Sequence, residues 1–257
     1  MKYLERWPVV TALIISAIIV LSLQHSLVKI SIPDFSNITN ITERKAVFFA
    51  YFSEQVKPIN IVIAKERALL LKLSKQSKFS TKDKIVIDNL ANKYRETIPQ
   101  KSINISSKNS SSISSLIEKL LVKVDQIPTA LVLAQAANES AWGTSRFAKQ
   151  ANNYFGIWCF TKGCGLIPKF RSTGQNHEVR AFITPKESVR YYMHLLNSSK
   201  LYGTLRTIRK DLRTSEAEVT AIKLTVGLGK YSERGQDYIN DLVALIKFNK
   251  LDVKYPL

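Results

Sequence analysis

The chain has 257 residues, enough for one substantial domain with an appendage or for two small domains. Its hydrophobic share of 45% and charged share of 23% are near those of folded proteins and exclude disorder over most of the length. Lysine and arginine outnumber aspartate and glutamate by 38 to 20. These basic residues are scattered and form no nucleic-acid-binding motif, so we expect no nucleic acid partner and favour another polyanionic surface.

The N-terminal segment "MKYLERWPVVTALIISAIIVLSLQHSLVKI" has the pattern of an export signal or a membrane anchor. Lys2 and Arg6 precede an uncharged apolar run from Val9 to Leu23, which would fit a signal peptide. As a helix, residues 7–28 would be roughly 33 Å long, enough to cross a bilayer core. Because no A-x-A cleavage site follows, we favour an uncleaved signal-anchor over residues 1–32, with the cleaved signal peptide as the alternative.

Residues 33–100 are predicted to form a helical N-terminal segment. A long helix over residues 43–74 is interrupted by Pro58, where we expect a kink or a break. A second helix is predicted at about 81–96. The run "KSINISSKNSSSISS", residues 101–115, is rich in serine and asparagine and is predicted to be a linker.

Residues 116–257 have the pattern of a further domain built from short helices. The first covers residues 116–124, and the next begins with Pro128 at its first position and ends near Gly143. Between residues 165 and 183 the helical period disappears, and the alternation in "HEVRAFI" predicts a small β-hairpin. Capping boxes at "TPKE" and "SEAE" predict helix starts at Thr184 and Ser215, and a last helix is expected at about 236–248.

Cys159 and Cys164 are close in sequence, and in an exported protein such a pair is typical of a disulfide. The three histidines form no cluster, so the sequence predicts neither a metal site nor a cofactor.

One acidic residue, Glu139, stands in the alanine-rich stretch "AQAANESAWG". At the end of a helix the unpaired carbonyls disfavour a carboxylate charge, and apolar neighbours desolvate it. Both effects raise the pKa of the acid. A carboxyl that stays protonated near neutral pH is what glycosidic-bond cleavage requires, because the leaving oxygen must gain a proton.

The surrounding residues carry a family resemblance. "LVLAQAANESAWGTSRFAKQANNYFGIWCF" resembles the signature of the glucosaminidases of glycoside hydrolase family 73, and "WCFTKGCGLIPKFR" with "HEVRAF" is similar to its Bax-type members of Gram-negative bacteria. The resemblance extends over roughly residues 116–250 and, more weakly, 40–75. Asn138 departs from the leucine that many members have before the acid, in agreement with the Bax-type subset.

The resemblance implies a mainly α fold (α+β), a lysozyme-like helical domain with a small β-hairpin lobe. It also implies a peptidoglycan hydrolase that cleaves the β-1,4 bond after N-acetylglucosamine, with Glu139 as the catalytic acid. Glu178, on the predicted hairpin lobe, is the first candidate for a second catalytic carboxylate. Substrate-assisted and inverting routes remain open. The family's C-terminal tyrosine corresponds to Tyr238, with Tyr231 as the near alternative.

Further substrate-binding candidates are Asn138 and the polar and aromatic residues Trp142, Asn153 and Tyr154, since aromatic rings stack on sugar faces. We expect Trp142 and Tyr154 to be nearest the groove, and Phe155 and Phe160 to lie inside.

Two alternatives remain open at this point. A muramidase or lytic transglycosylase would cut the other bond, and a membrane-anchored, non-catalytic wall-binding module would only hold the glycan. The expected partners are peptidoglycan strands and the inner membrane. We expect a monomer, anchored on the periplasmic side of that membrane or secreted to the periplasm.

Overall fold

The computed structural model describes residues 32–96 and 110–257. Residues Asp34–Leu257 form one compact unit. Nearly all of the predicted signal-anchor lies outside the described residues, as do residues 101–109 of the predicted linker. Among the helices that are described, none has the length and apolarity needed to span a membrane.

The described fold is mostly helical with one small antiparallel sheet, as the sequence predicts. The α-helices are α1 Ile41–Leu73, α2 Thr81–Lys93, α3 Ser110–Lys123, α4 Thr129–Ser140, α5 Arg146–Ala151, α6 Pro185–Ser198, α7 Gly203–Thr214, α8 Ala221–Thr225, α9 Gln236–Phe248 and α10 Leu251–Lys254. The strands are β1 Trp158–Cys159, β2 Gly165–Leu166 and β3 Glu178–Arg180. Short 3-10 helices follow α6 and α8 at Lys200–Tyr202 and Val226–Leu228.

Helix α1 is continuous through Pro58, so of the expected kink or break the break is wrong, and the kink stays a prediction. The helix begins at Asn40, whose side chain accepts a hydrogen bond from the Glu43 amide. A proline inside a helix costs about 3 kcal/mol. Burial of Val56 and Ile59 on either side of Pro58 offsets that cost, because tertiary packing outweighs local helix propensity.

The N-terminal helices pack on the rest of the unit. Helix α1 contacts α3, α4 and α6, and α2 contacts α3. Helix α3 begins at Ser110, six residues before the predicted start, so residues 110–115 of the predicted linker are helical. Ile113 is fully buried, which explains why serines with low helix propensity are helical here.

Helix α4 runs through the centre of the core. Every residue from Ala130 to Ala137 is fully buried, and α1, α8 and α9 pack around the helix. Its alanines allow this close approach of neighbouring backbones. The helix ends at Ser140, earlier than the predicted Gly143 cap, because Ala141 already adopts the left-handed conformation.

The sheet has three strands in the order β1-β3-β2, both pairs antiparallel. The predicted hairpin is therefore only part of it, because β1 precedes the predicted region and pairs Trp158 with Val179. The disulfide between Cys159 and Cys164 is confirmed. It closes the loop that joins the two outer strands.

Two of the three predicted C-terminal helix starts are confirmed. Thr184 caps α6, and α9 covers residues 236–248. The predicted start at Ser215 is wrong, because this residue ends α7 and its hydroxyl donates to the carbonyl oxygen of Asp211. Helix α8 begins instead after Thr220, whose side chain accepts from the Lys223 amide.

A buried ion-pair cluster joins the N- and C-terminal parts. The carboxylate of Asp125, 2% exposed, is surrounded by the guanidinium groups of Arg67, Arg209 and Arg213 at 3.6, 3.9 and 3.1 Å. Arg209 is 1% exposed, and burial lowers its pKa to about 10. Its guanidinium nitrogens also donate to backbone carbonyls at the end of α3, which ties α7 to α3.

Candidate active site

Glu139 is the penultimate residue of α4, where the core helix reaches the surface. Its side chain is half-buried, and desolvation by burial raises its pKa despite opposing hydrogen bonds from Tyr238 and Asn138. Gly156 lies against the carboxylate, with a φ of +62°. A Cβ at that position would stand 3.5 Å from Glu139 Oε2, so the glycine leaves one side of the acid open.

A chain of buried hydrogen bonds runs toward this carboxyl group. The Tyr192 hydroxyl donates to Gln135 Oε1, and Gln135 Nε2 donates to the Tyr238 hydroxyl oxygen at 2.8 Å. The Tyr238 hydroxyl in turn interacts with Glu139 and opposes the rise in the pKa of that carboxyl. Because the amide of Gln135 donates to the oxygen of Tyr238, the tyrosine proton is left for another acceptor, and the Glu139 carboxylate is the acceptor that interacts with this hydroxyl. Gln135 and Tyr192 are fully buried, so their polar atoms depend on each other.

Two further tyrosines complete the wall around Glu139. Tyr231 stacks on Tyr238 with ring centroids 5.6 Å apart, and its hydroxyl donates to the Phe155 carbonyl at 2.6 Å. Burial, and then the charge of Glu139, raise the pKa of Tyr202 to about 12. Neutral tyrosine hydroxyls thus surround a carboxyl group whose pKa burial raises, an arrangement suited to proton donation.

Comparison with known proteins gives this geometry a family. Residues 116–251 match the family model Glucosaminidase, described as mannosyl-glycoprotein endo-beta-N-acetylglucosaminidase. The chain belongs to the glucosaminidase family. It is also 32% identical over 220 residues to Protein bax of Escherichia coli (strain K12), a match that covers 86% of this chain and 75% of that protein. No solved structure matches.

The two aromatics expected nearest the groove instead pack on helix α1 of this glucosaminidase. The Trp142 ring lies edge-on to Phe49 at 5.2 Å between centroids, and Tyr154, 2% exposed, contacts Phe52 at 4.6 Å. The sequence could not reveal this, because the covering rings come from a helix almost a hundred residues away.

Of the two rings expected to lie inside, one is buried and the other is exposed. Phe155 is buried as predicted and stacks on Tyr192 at 4.2 Å. Phe160 is 66% exposed, so its expected burial is wrong. Trp158, 53% exposed and stacked on His177, also faces solvent on the small sheet. The exposed aromatic rings of this lobe therefore include Trp158, Phe160 and Phe170, which is 97% exposed.

Asn153 has a structural role in the turn that carries Gly156. The side chain is 1% exposed; Nδ2 donates to the carbonyls of Ile157 and Arg180, and Oδ1 accepts from the amides of Phe155 and Ile157. All its bonding capacity is used within the protein, unlike that of the exposed Asn138. Of the predicted site residues, the structure brings Asn138, Tyr231 and Tyr238 around Glu139.

The second carboxylate candidate, Glu178, is held by the disulfide loop. Its two oxygens accept the amides of Gly163 and Gly165 at 2.9 and 2.8 Å, and these bonds lower its pKa. Its role as a catalytic base stays a prediction, and these contacts give it a structural role in the loop. Cys159, Cys164 and Glu178 are the one group of potential metal ligands among the described residues, but the cysteine sulfurs are bonded to each other.

Sequence reasoning missed Gln135, Tyr192 and Tyr202. Gln135 had a usable signal, because it stands four residues before Glu139 and therefore on the same helix face. The two tyrosines come from other elements and had no signal of their own.

Proposed function

We propose that this glucosaminidase cleaves the β-1,4 bond after N-acetylglucosamine in peptidoglycan, with Glu139 as general acid. The observation that carries the proposal is the half-buried Glu139 carboxyl at a helix end, beside the hydroxyl of Tyr238, with a pKa that burial raises. The protonated carboxyl donates its proton to the leaving glycosidic oxygen, and the ionised form then accepts the Tyr238 hydrogen bond.

The proposed fold is lysozyme-like, with the glycan lying between the Glu139 side of the helical body and the three-stranded lobe. The exposed rings of Trp158 and Phe160 offer apolar faces on which sugar rings can stack. Glu178 would act as a base only after release from Gly163 and Gly165. The bound state of Glu178 favours the substrate-assisted route, in which the acetamido oxygen attacks the anomeric carbon, over a route in which Glu178 accepts a proton from the attacking water.

We further propose that the enzyme is a monomer, anchored by its N-terminal segment on the periplasmic side of the inner membrane or released to the periplasm. The composition of residues 1–32 supports the anchor and the periplasmic location. The formal net charge of +18 would favour association with anionic lipid and with the free carboxylates of wall peptides.

The test is digestion of purified peptidoglycan by the wild type, by Glu139→Gln and by Glu218→Gln, an exposed glutamate that serves as the matched control. A positioned general acid contributes about 10²–10⁴-fold, so Glu139→Gln should lose at least about a hundredfold of the rate. Glu218→Gln should keep the wild-type rate.

Analysis of the new reducing ends shows which of the two glycosidic bonds is cleaved. N-acetylglucosamine ends support the proposal, whereas muramic or anhydromuramic ends identify a muramidase or lytic transglycosylase. Undiminished cleavage by Glu139→Gln would show that Glu139 is not the general acid. Absence of cleavage by the wild type would favour a non-catalytic wall-binding module.

A further inference from the structure

A second concave site lies on the other side of helix α6 from Glu139. This cavity, which we call the α6 cavity, has a volume of about 720 Å³, within the range of small-molecule sites. Its walls are the second half of α1, the end of α2, the segment after β3 and the outer face of α6. Tyr191 lines the cavity, whereas the next residue, Tyr192, points to Gln135 in the active site.

The floor of the cavity is apolar. Ile59 and Ile63 of α1 are buried beneath it, and Val62, on the same helix, is 49% exposed. Phe182 and Ile183 form the opposite side, and Ile183 is 84% exposed. Water-exposed aliphatic side chains that face one another across a concavity favour an apolar occupant.

Cationic side chains stand around this apolar floor. Among the described residues, Arg180, Lys186 and Arg190 line the cavity without a salt bridge, while Lys93 is paired with Glu66 at 2.6 Å. The acidic residue of the lining, Glu187, accepts the Ile183 amide at 2.9 Å. The cavity therefore has an excess of positive charge.

The guanidinium of Arg180 is the most specific feature. Its Cζ lies over the Tyr191 ring, 4.8 Å from the ring centroid, and its Nε is the one buried side-chain polar atom in the described residues that has no hydrogen-bond partner. Arg180 as a whole is half-buried and lines the cavity, so its guanidinium charge meets an anion that enters the cavity. Guanidinium groups match the geometry of phosphate and carboxylate.

His194 on the same wall is already used within the protein. Its Nε2 lies 2.6 Å from the Lys93 carbonyl oxygen, and burial lowers its pKa, which favours the neutral ring as donor. It fixes the end of α2 to α6 and adds no charge to the cavity.

We propose that the α6 cavity binds an amphiphile with a single apolar chain and an anionic head group, a phosphate or a carboxylate. The chain lies on the floor formed by α1 and the segment after β3. The head group pairs with Arg180 and with the rim cations Lys186 and Arg190. This site is separate from Glu139, so the inference does not depend on the proposed glycosidase activity.

Isothermal titration calorimetry of the full chain with dodecyl phosphate below its micelle concentration tests the proposal. We expect saturable binding with one ligand per chain. Inorganic phosphate lacks the chain, dodecanol lacks the charge and dodecyltrimethylammonium has the opposite charge, so all three should bind at least tenfold more weakly. Dodecanoate distinguishes the two head groups: tighter binding of the phosphate indicates a lipid phosphate, and tighter binding of the carboxylate indicates a fatty acid.

Two independent variants locate the binding. Arg180→Gln should weaken binding at least tenfold. The double variant Lys186→Gln/Arg190→Gln, at the rim, should also weaken binding at least tenfold, and it provides the test if Arg180→Gln fails to fold. Lys119→Gln, on an exposed face of α3 outside the cavity, is the matched control and should bind as the wild type does.

Unsaturable binding, or equal affinity of the wild type and both cavity variants, would overturn the proposal. So would saturable binding of acidic wall peptides with no binding of either anionic amphiphile, which would make the occupant a peptide.

Discussion

Replacement of Gln135 by leucine should both destabilise the protein and change the pKa of Glu139. Leucine has a similar volume, so little cavity is created, but the fully buried Tyr192 hydroxyl loses its acceptor. An unsatisfied buried polar group costs about 1–3 kcal/mol, and we expect a loss of about 2 kcal/mol in the free energy of unfolding. For a chain of this size each kcal/mol corresponds to about 2–4 °C, so the midpoint should fall by about 4–8 °C.

The double variant Gln135→Leu/Tyr192→Phe separates the hydrogen bond from packing. Removal of both partners leaves no orphaned hydroxyl on Tyr192, so the double variant should be more stable than the sum of the single losses by about 1–2 kcal/mol. Chemical denaturation of the four proteins measures this coupling. Additive losses would mean that the bond between Gln135 and Tyr192 contributes nothing.

The same substitution should change the pH dependence of glycan cleavage. Without the amide of Gln135, the hydroxyl of Tyr238 is free to rotate, and its hydrogen bond to Glu139 weakens. That bond lowers the pKa of Glu139, so its loss should raise the pKa and move the alkaline limb of kcat/KM to higher pH. An unchanged alkaline limb would refute the directed chain.

The remaining predictions concern charge and backbone. Because burial raises the pKa of Glu139 in the folded state, ionisation destabilises the fold as the pH rises through that pKa; Glu139→Gln should therefore raise the melting temperature at pH 7, with no gain below the ordinary glutamate pKa. Glu178 has a lowered pKa, so its carboxylate stabilises the fold above the ordinary glutamate pKa, and this stabilisation is lost as the pH falls through the pKa of the folded state. Glu178→Gln should therefore speed amide exchange in the disulfide loop at pH 7 and lower the cleavage rate less than tenfold. A hundredfold lower rate would show that Glu178 acts as the catalytic base. Arg209→Met should cost about 3–5 kcal/mol in denaturant unfolding, because Asp125 stays buried and loses a partner; a loss below 1 kcal/mol would contradict this. Gly143→Ala places a Cβ 2.4 Å from a buried phenylalanine ring at a φ of +80°, so a lowered melting temperature is expected and an unchanged one would disprove the contact.

The helices show which features were predictable. Helix α9 and the start of α6 were correct because a 3.6-residue apolar period and a threonine cap are local signals. The proline of α1 and the serines of α3 were misinterpreted as interruptions. Their helical state depends on burial against partners distant in sequence, which no local propensity contains.

The candidate active site likewise combines features that are encoded locally with features that depend on packing. Glu139 and its raised pKa followed from a helix end and apolar neighbours, which are local properties. Tyr154 is buried because the rings that cover it belong to α1, whereas Trp142 packs on α1 but stays half-buried, so its place beside the groove stays a prediction. Whether an aromatic side chain faces a groove or a core depends on what packs against it.

The sequence by itself determined the family, the disulfide and the place of Glu139 at a helix end, because each is encoded in a short run of residues whose chemistry is readable without a fold. Only the tertiary structure decided that Tyr192, Gln135 and Tyr238 form one chain of donors toward Glu139, that Glu178 binds a loop backbone, and that a cation-lined cavity stands behind α6. Hydrogen bonds between residues 57 and 103 positions apart depend on how helices pack, and packing is a property of the whole chain.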